Sequence, residues 1–334
     1  MPRLWRAGAT VSPLSLVLFV WGRLADIPVF GGDVSCWRNR RQNIRNMWLA
    51  AAAAAIGQIA ANFPVFIVLI SLDHQLLNAD HVENLMMRAA VYGLGRWGET
   101  LVKSVNGKSE TIRIVAGISR SPEDHEDFAS EYDLQLTNSY ATVLSDPSID
   151  AVVLATPHSQ HIDQICQAAH AGKHVFVEKP LTLTRQDAVS AVEVCQQAGV
   201  TLGIGFGRRF RPAYLEMLRM IRNDEIGNLL HIEGHHSGPS GYRVERNSWR
   251  ADQVESPAGA MTARGIHALD AMVGITGKVA SVYAFSDSRE LTTGIDDTTS
   301  MLLKFRNGVT GYLATIFVTA NKWFLQVYGS RGWV

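Results

Sequence analysis

The stretch Gly93-Leu94-Gly95-Arg96-Trp97-Gly98 follows the apolar run Ala89-Ala90-Val91-Tyr92 and precedes a segment with helical spacing. Between a strand and a helix, glycines at that spacing suit one chemistry, the binding of a dinucleotide. The first permits the tight turn, the second lets a pyrophosphate approach the backbone, and the third lets helix pack on strand. A helix starting near Trp97 would point free N–H groups and its positive dipole end at the phosphates. Glycine also serves ordinary turns. It is the order strand, loop, helix that selects the dinucleotide reading.

Two further stretches place reactive groups at strand ends. Ala155-Thr156-Pro157-His158-Ser159-Gln160-His161 follows the apolar run that begins at Ala151, and Glu178-Lys179-Pro180 follows His174-Val175-Phe176-Val177. An unpaired interior charge costs several kcal/mol, so an acid beside a lysine at a strand terminus needs a reason. A surface ion pair closing the strand is the plain alternative. Pro180 removes a backbone donor and fixes the turn.

These groups need a scaffold, and the hydrophobic pattern supplies one. Apolar runs over 112–118, 151–155, 174–177 and 201–205 read as strands, and 162–171 and 185–198 carry helical spacing, closed by Gly172 and Gly199. Alternating strands and helices predict a Rossmann-type α/β domain, a doubly wound parallel sheet with its ligand at the carboxyl ends of the strands. The residue that meets the adenine ribose should stand at the end of the second strand. There the chain has Ser119-Arg120-Ser121, with no acid until Glu123. A hydroxyl beside a guanidinium suits a 2′-phosphate, which favours NADP and leaves NAD as the alternative.

Beyond Phe210 the pattern changes. A helix over 214–221 precedes strands over 231–234, 279–286, 298–305, 309–319 and 324–328, with Asn307-Gly308 as a hairpin signal between two of them. This reads as a second, α+β domain with an open, mostly antiparallel sheet. His231, Glu233 and His235 alternate along one strand and could share a face. A solvated strand edge is the preferred reading there, and no metal is expected.

The chain has 334 residues, enough for two cores, and its Lys plus Arg and Asp plus Glu counts are equal at 31. That balance gives no support for a nucleic-acid partner. Its 3 cysteines stand without metal or disulfide spacing, as in a reducing, cytoplasmic setting. Residues 1–85 read differently: they contain no lysine and hold half of the 8 tryptophans. No charge occurs from Met47 to Leu72, long enough to span a bilayer if that segment is genuine and inserted. Arg40-Arg41 ahead of it is similar to an export signal. Gln58, Asn62 and Pro64 interrupt the span, and Met86 stands where a dinucleotide-binding chain usually starts. The preferred expectation is an upstream extension over 1–85 with no part in the chemistry, then a dinucleotide-binding domain over 86–210 and a substrate and assembly domain over 211–334.

The glycine loop, Ala155-Thr156-Pro157 with His161, Glu178-Lys179-Pro180, Gly207-Arg208-Arg209-Phe210 and Gly265-Ile266-His267-Ala268-Leu269-Asp270 occur in that order. Together they resemble the Gfo/Idh/MocA family of NAD(P)-dependent oxidoreductases, from about Met86 to the C-terminus. The resemblance implies hydride transfer between a nicotinamide cofactor and a secondary hydroxyl of a sugar, sugar acid or cyclitol. It implies that Lys179 contacts both nicotinamide ribose and substrate hydroxyl, that His267 is the general acid/base, and that Glu178 orients the lysine segment. It further implies a cis peptide at Pro180, a homo-oligomer, and cofactor contacts from residues 93–98, Ser119, Arg120, Ala155, Thr156, Pro157 and His161. Asp270 would orient the histidine or serve packing. Lys179, Arg209, Trp249, Arg264 and His267 are the expected substrate contacts.

One departure matters. Many members carry an aspartate four residues before the histidine, where this chain has Ala263. Loss of that carboxylate puts ordinary inositol oxidation in doubt. Thr262 or Arg264 could substitute, and Arg264 would favour an acidic sugar. After Gly329-Ser330-Arg331-Gly332 the family usually continues with further strands, so the second domain is expected to be incomplete. Two alternatives follow: a catalytically silent NAD(P)-binding protein or fragment, and an NAD-dependent glycosidase of the same fold.

Overall fold

The computed structural model describes residues 86–334. The membrane and export readings of residues 1–85 lie outside the described residues. Among the described residues, no helix is long and apolar enough to cross a membrane.

Strand β1 (Met87–Tyr92) starts the first sheet because Ala89, Ala90 and Val91 are small or β-branched and wholly buried. It is followed by helix α1 (Arg96–Val105), β2 (Ile112–Ile118), helix α2 (Glu126–Tyr132), β3 (Gln135–Thr137) and helix α3 (Tyr140–Ser145). Then come β4 (Ala151–Leu154), helix α4 (His161–His170), β5 (His174–Val177), helix α5 (Arg185–Ala198) and β6 (Leu202–Ile204). The strands form one six-stranded parallel sheet in the order β3-β2-β1-β4-β5-β6. Its order reverses between β1 and β4, the crevice where doubly wound sheets bind ligands. Gly199 ends α5 in the left-handed conformation at φ 68, and Gly172 follows the end of α4 at φ 72.

Helix α6 (Pro212–Arg222) leads into β7 (Leu229–Ser237), and a π-helical turn at Met261–Gly265 runs into helix α7 (Ile266–Thr276). The strands β8 (Val279–Asp287), β9 (Thr298–Phe305), β10 (Thr310–Ile316), β11 (Lys322–Gly329) and β12 (Gly332–Trp333) complete the second sheet. Its order is β12-β11-β7-β10-β9-β8, with only β7 and β10 parallel among its pairs. One face packs on α6 and α7, joining Tyr214, Met217, Ala268 and Met272 to Ile232, Leu303, Leu313 and Val327 in one core. The other face leaves Tyr283, Phe285 and Leu302 more than half exposed. The Gly329–Gly332 turn is a hairpin, and the short strand after it pairs back on β11.

Candidate active site

Three glycines shape the loop after β1. Gly93 has φ +99, and a Cβ there would lie 2.7 Å from the Ala155 carbonyl oxygen on the neighbouring strand end. A Cβ on Gly98 would overlap the Gly93 carbonyl, so α1 can approach β1 only with glycine at that position. Gly95 is different: a Cβ there would meet nothing within 4 Å. Its missing side chain opens space outside the protein, over a helix N-terminus without any side-chain cap. An open glycine above uncapped N–H groups fits a pyrophosphate. Leu94 is buried beneath the loop, while Arg96 and Trp97 are exposed above it. Ser119, half-buried, and Arg120, exposed, follow β2 at the place where an adenine ribose would lie.

The Glu178-Lys179 pair sits at the end of β5, beside the glycine loop. The Glu178 carboxylate accepts hydrogen bonds from the Trp97 indole and from the Lys179 backbone N–H, the latter at 3.2 Å. A Cβ on Gly205 would sit 2.7 Å from a Glu178 oxygen, so that glycine makes room for the acid. Burial raises the Glu178 pKa despite these donors. Lys179 precedes the one cis peptide among the described residues, at Lys179-Pro180. Its ammonium donates to the Ala263 carbonyl at 3.1 Å. Thus the residue that lacks the family's carboxylate still holds the lysine, through its backbone. Burial lowers the Lys179 pKa; Glu178 opposes that shift, and Arg250 and Arg264 add to it.

His267 stands in the first turn of α7, with Phe206 edge-on at 6.1 Å and His236 at 5.9 Å between ring centres. Its Nδ1 is buried without a partner. Burial, then Lys179, His236, Arg208 and Arg264, push its pKa down to about 2, so it is a neutral imidazole at working pH. A neutral imidazole beside an ammonium can exchange a proton with a hydroxyl placed between them.

Several expected contacts lie elsewhere. His161 is fully buried, with ring nitrogens 2.9 Å from the Pro180 carbonyl and 3.2 Å from that of Thr156. It braces the two strand-end loops and offers no surface to a cofactor. Thr156 is itself buried, its hydroxyl bonded to Gln164 at 2.6 Å, which leaves Ala155 and Pro157 as the more open members of that loop. Arg209 does not enter the substrate space either. Its guanidinium makes a two-pronged ion pair with Asp270 at 2.5 and 2.7 Å, so Asp270 fastens Arg209 rather than orienting His267. The Thr262 hydroxyl is spent on the Pro257 carbonyl. Trp249 packs edge-on against His158 at 4.9 Å and carries Arg250 over its ring at 4.2 Å, at the rim beside the first domain. Arg264 stands on the π-helical turn, three residues before His267.

Other residues were not among the expected contacts, Arg208 although it stands in a quoted motif and Trp323, His236 and Glu255 because they carry no local signal. Arg208 lies over the Trp323 ring at 4.3 Å, and Trp323 is edge-on to His236 at 4.8 Å. These side chains come from the 207–210 turn, β11 and β7, so only the folded sheet assembles them. Glu255 spans the two domains: its carbonyl lies 2.6 Å from His158 Nδ1 and its carboxylate accepts from the Ser159 N–H at 3.0 Å. On β7, His231 pairs with Thr310 and His235 with Ser237, both at 2.7 Å. Among the described residues, no three His, Cys, Asp or Glu side chains converge to hold a metal.

The comparisons with known proteins cover both halves of this arrangement. The description "Oxidoreductase family, NAD-binding Rossmann fold" matches residues 87–206, and "GFO/IDH/MocA C-terminal domain" matches residues 214–334. The chain is similar to scyllo-inositol 2-dehydrogenase (NAD(+)) of Bacillus subtilis, 38% identical over 164 residues, 44% of either chain. It is also similar to D-xylose 1-dehydrogenase (NADP(+)) 2 of Haloferax volcanii, 29% identical over 199 residues, 58% of either chain. The solved myo-inositol 2-dehydrogenase of Lactobacillus plantarum superposes with a TM-score of 0.67 at 25% identity, over 75% of this chain and 76% of that one. The aligned region therefore spans 44% to 58% of the length of these two curated relatives.

Proposed function

This chain belongs to the Gfo/Idh/MocA oxidoreductase family, and from that premise we propose that it oxidises a secondary hydroxyl of a sugar, sugar acid or cyclitol with a nicotinamide cofactor. The observation that carries this reading is the neutral His267 ring within reach of the charge of Lys179, whose neighbour Glu178 bonds Trp97 of the glycine loop. Residues 93–98 would hold the pyrophosphate through backbone N–H groups, with Glu178 and Lys179 beside the nicotinamide ribose. When bound, the nicotinamide ring accepts the hydride from the substrate carbon.

The protein supplies the rest. Lys179, anchored by Ala263, places its positive charge against the substrate oxygen, where negative charge develops as the carbon loses hydride. His267, neutral in the free site, takes the hydroxyl proton on its imidazole; the reverse reaction returns it. Phe206 and the buried face of α7 exclude water around the ring. Ser119 and Arg120 support NADP over NAD as the preferred cofactor, because a serine hydroxyl and a free guanidinium complement a 2′-phosphate. The exposed apolar side chains of Tyr283, Phe285 and Leu302 on the open sheet face support assembly of this chain with copies of itself.

The test is NAD(P) reduction across a panel of polyols and sugar acids, with Lys179→Ala beside the wild type. Turnover should fall about 10³-fold in the variant while NADPH still quenches its tryptophan fluorescence. Equal turnover in both proteins would remove Lys179 from the chemistry. NADPH binding without turnover of any substrate would favour the catalytically silent reading.

A further inference from the structure

We infer that the substrate pocket is built to seat a carboxylate, so that the carbohydrate it takes is a sugar acid rather than a neutral polyol. This rests on the oxidoreductase reading for the position of the pocket. The recognition itself follows from side chains that the chemistry does not use.

The groups around His267 are cationic on every side that carries charge. Lys179 comes from the end of β5, Arg208 from the 207–210 turn and Arg264 from the π-helical turn, while His236 on β7 is a neutral imidazole. Glu178 is the one acid that bears on Lys179, and its oxygens are engaged by Trp97 and the backbone. No carboxylate lies within ion-pair distance of Arg208 or Arg264 among the described residues. Two half-buried guanidiniums without a counter-charge are costly unless a ligand supplies one.

Their poses are fixed for that purpose. Arg264 donates from Nε to Ser240 Oγ at 2.7 Å and from one terminal nitrogen to the Ser237 carbonyl at 3.3 Å, leaving the other terminal nitrogen without a protein partner. Gly238 makes its seat, since a Cβ there would lie 2.7 Å from the Arg264 guanidinium. The Arg208 guanidinium makes no hydrogen bond to the described residues and is held by the Trp323 ring at 4.3 Å. Stacking fixes the plane of a guanidinium while keeping its N–H edge free for a planar anion. The Arg264 carbonyl meanwhile lies 2.9 Å from His236 Nδ1, tying the turn that carries Arg264 to the strand facing His267.

A carboxylate between these arginines would also serve the reaction. In the free site burial, with the positive groups on β5, the 207–210 turn and the π-helical turn, holds His267 neutral and weakly basic. A bound anion offsets Arg208 and Arg264 and raises the ring's affinity for the proton that leaves the substrate hydroxyl. Ala263 brings no carboxylate to this cationic surround: its methyl packs on the apolar cluster of Ala260, Ile295 and Phe317, and only its backbone carbonyl meets Lys179.

The experiment is calorimetric titration of the full chain saturated with NADPH, a state that binds the alcohol but cannot oxidise it. D-glucuronate, D-galacturonate and D-gluconate are compared with D-glucose and D-galactose. The acids should bind at least about 10-fold more tightly than the neutral sugars, the span expected of a charge-assisted contact. Arg264→Gln and Arg208→Gln should each erase roughly 10- to 100-fold of that preference, while Arg264→Lys and Arg208→Lys retain part of it. Each variant is checked for folding by its NADPH binding, and where a Gln variant fails to fold the Lys variant and the wild-type ratio decide. Equal affinity for acids and neutral sugars, no binding of any of them, or a preference surviving both Gln variants would overturn the inference. Acid-selective binding without turnover under NADP would instead count against the oxidoreductase reading and leave this one standing.

Discussion

The two sheets of this protein bind by different means. Beside the first, parallel sheet the ligand-facing surface is backbone: Gly93, Gly95 and Gly98 matter through side chains they do not have. Beside the second sheet the surface is side chain, and each group is held by another, as Arg208 is by Trp323 and Arg264 by Ser240. A backbone site is written in consecutive residues and serves any nucleotide of the right shape. A side-chain site is gathered from distant strands, and it alone distinguishes one substrate from another. The division predicts that cofactor affinity and substrate choice can be damaged separately.

The sharpest break is Gly95→Val. Since a Cβ at Gly95 touches nothing in the protein, the fold should melt within about 2 °C of wild type. NADPH affinity should nonetheless fall about 100-fold, because the side chain fills the space left for phosphate. Thermal melts read beside fluorescence titration would decide it; a large fall in Tm would mean the glycine serves packing. The opposite dissociation belongs to Asp270→Asn. Arg209 would lose its ion pair, and stability should drop by about 1–3 kcal/mol. The kcat should change less than 10-fold, because neither side chain reaches His267; a far larger loss in kcat would return Asp270 to the active site.

A smaller effect is expected of Arg120→Gln, on the cofactor alone. The ratio of NADPH to NADH affinity should fall about 10-fold with substrate binding unchanged, as equilibrium titration of both cofactors would show. An unchanged ratio would leave Arg120 as a solvated strand end. An effect that no single substitution isolates is expected on acid stability. Burial lowers the pKa of His158 and of His236 to about 4, and that of His267 to about 2. Below pH 6.5 the unfolded chain binds protons that these folded imidazoles refuse, so stability falls as pH drops. Each contributes a slope of up to about 1.4 kcal/mol per pH unit, between 6.5 and its folded value. Denaturant melts at pH 7 and pH 5 should differ, and His236→Gln should narrow the gap.

Legibility in the sequence divided along the same line. The parallel strands were readable because strands buried on both faces must be continuously apolar, and α5 begins and ends at the residues its pattern indicates. Helices α2 and α3 and strand β3 were missed, being short and half-exposed, with no run long enough to carry a period. Lys179 and the glycine loop stand in local motifs, whereas His267 was legible through the family resemblance. Arg209 and Arg208 are neighbours in a short turn, and nothing in the order of residues says which one faces Asp270 and which faces the pocket. His161 stood in a motif at the ligand end of the sheet, yet burial spends both its nitrogens on carbonyls. Chemical type was read correctly there, but orientation depends on packing that lies many residues away.

The strand order of the second sheet also sets a schedule for synthesis. Strand β7 is made early, yet both of its neighbours come late: His231 pairs with Thr310 on one side and Tyr328 on the other. A nascent chain can close the first sheet while β7 still waits, both edges open, for the last strands to leave the ribosome. Until then Arg208 lacks Trp323 and His236 lacks its sheet neighbours. Nucleotide-binding competence should therefore precede substrate recognition during translation, and the waiting strand is where a chaperone would have most to protect.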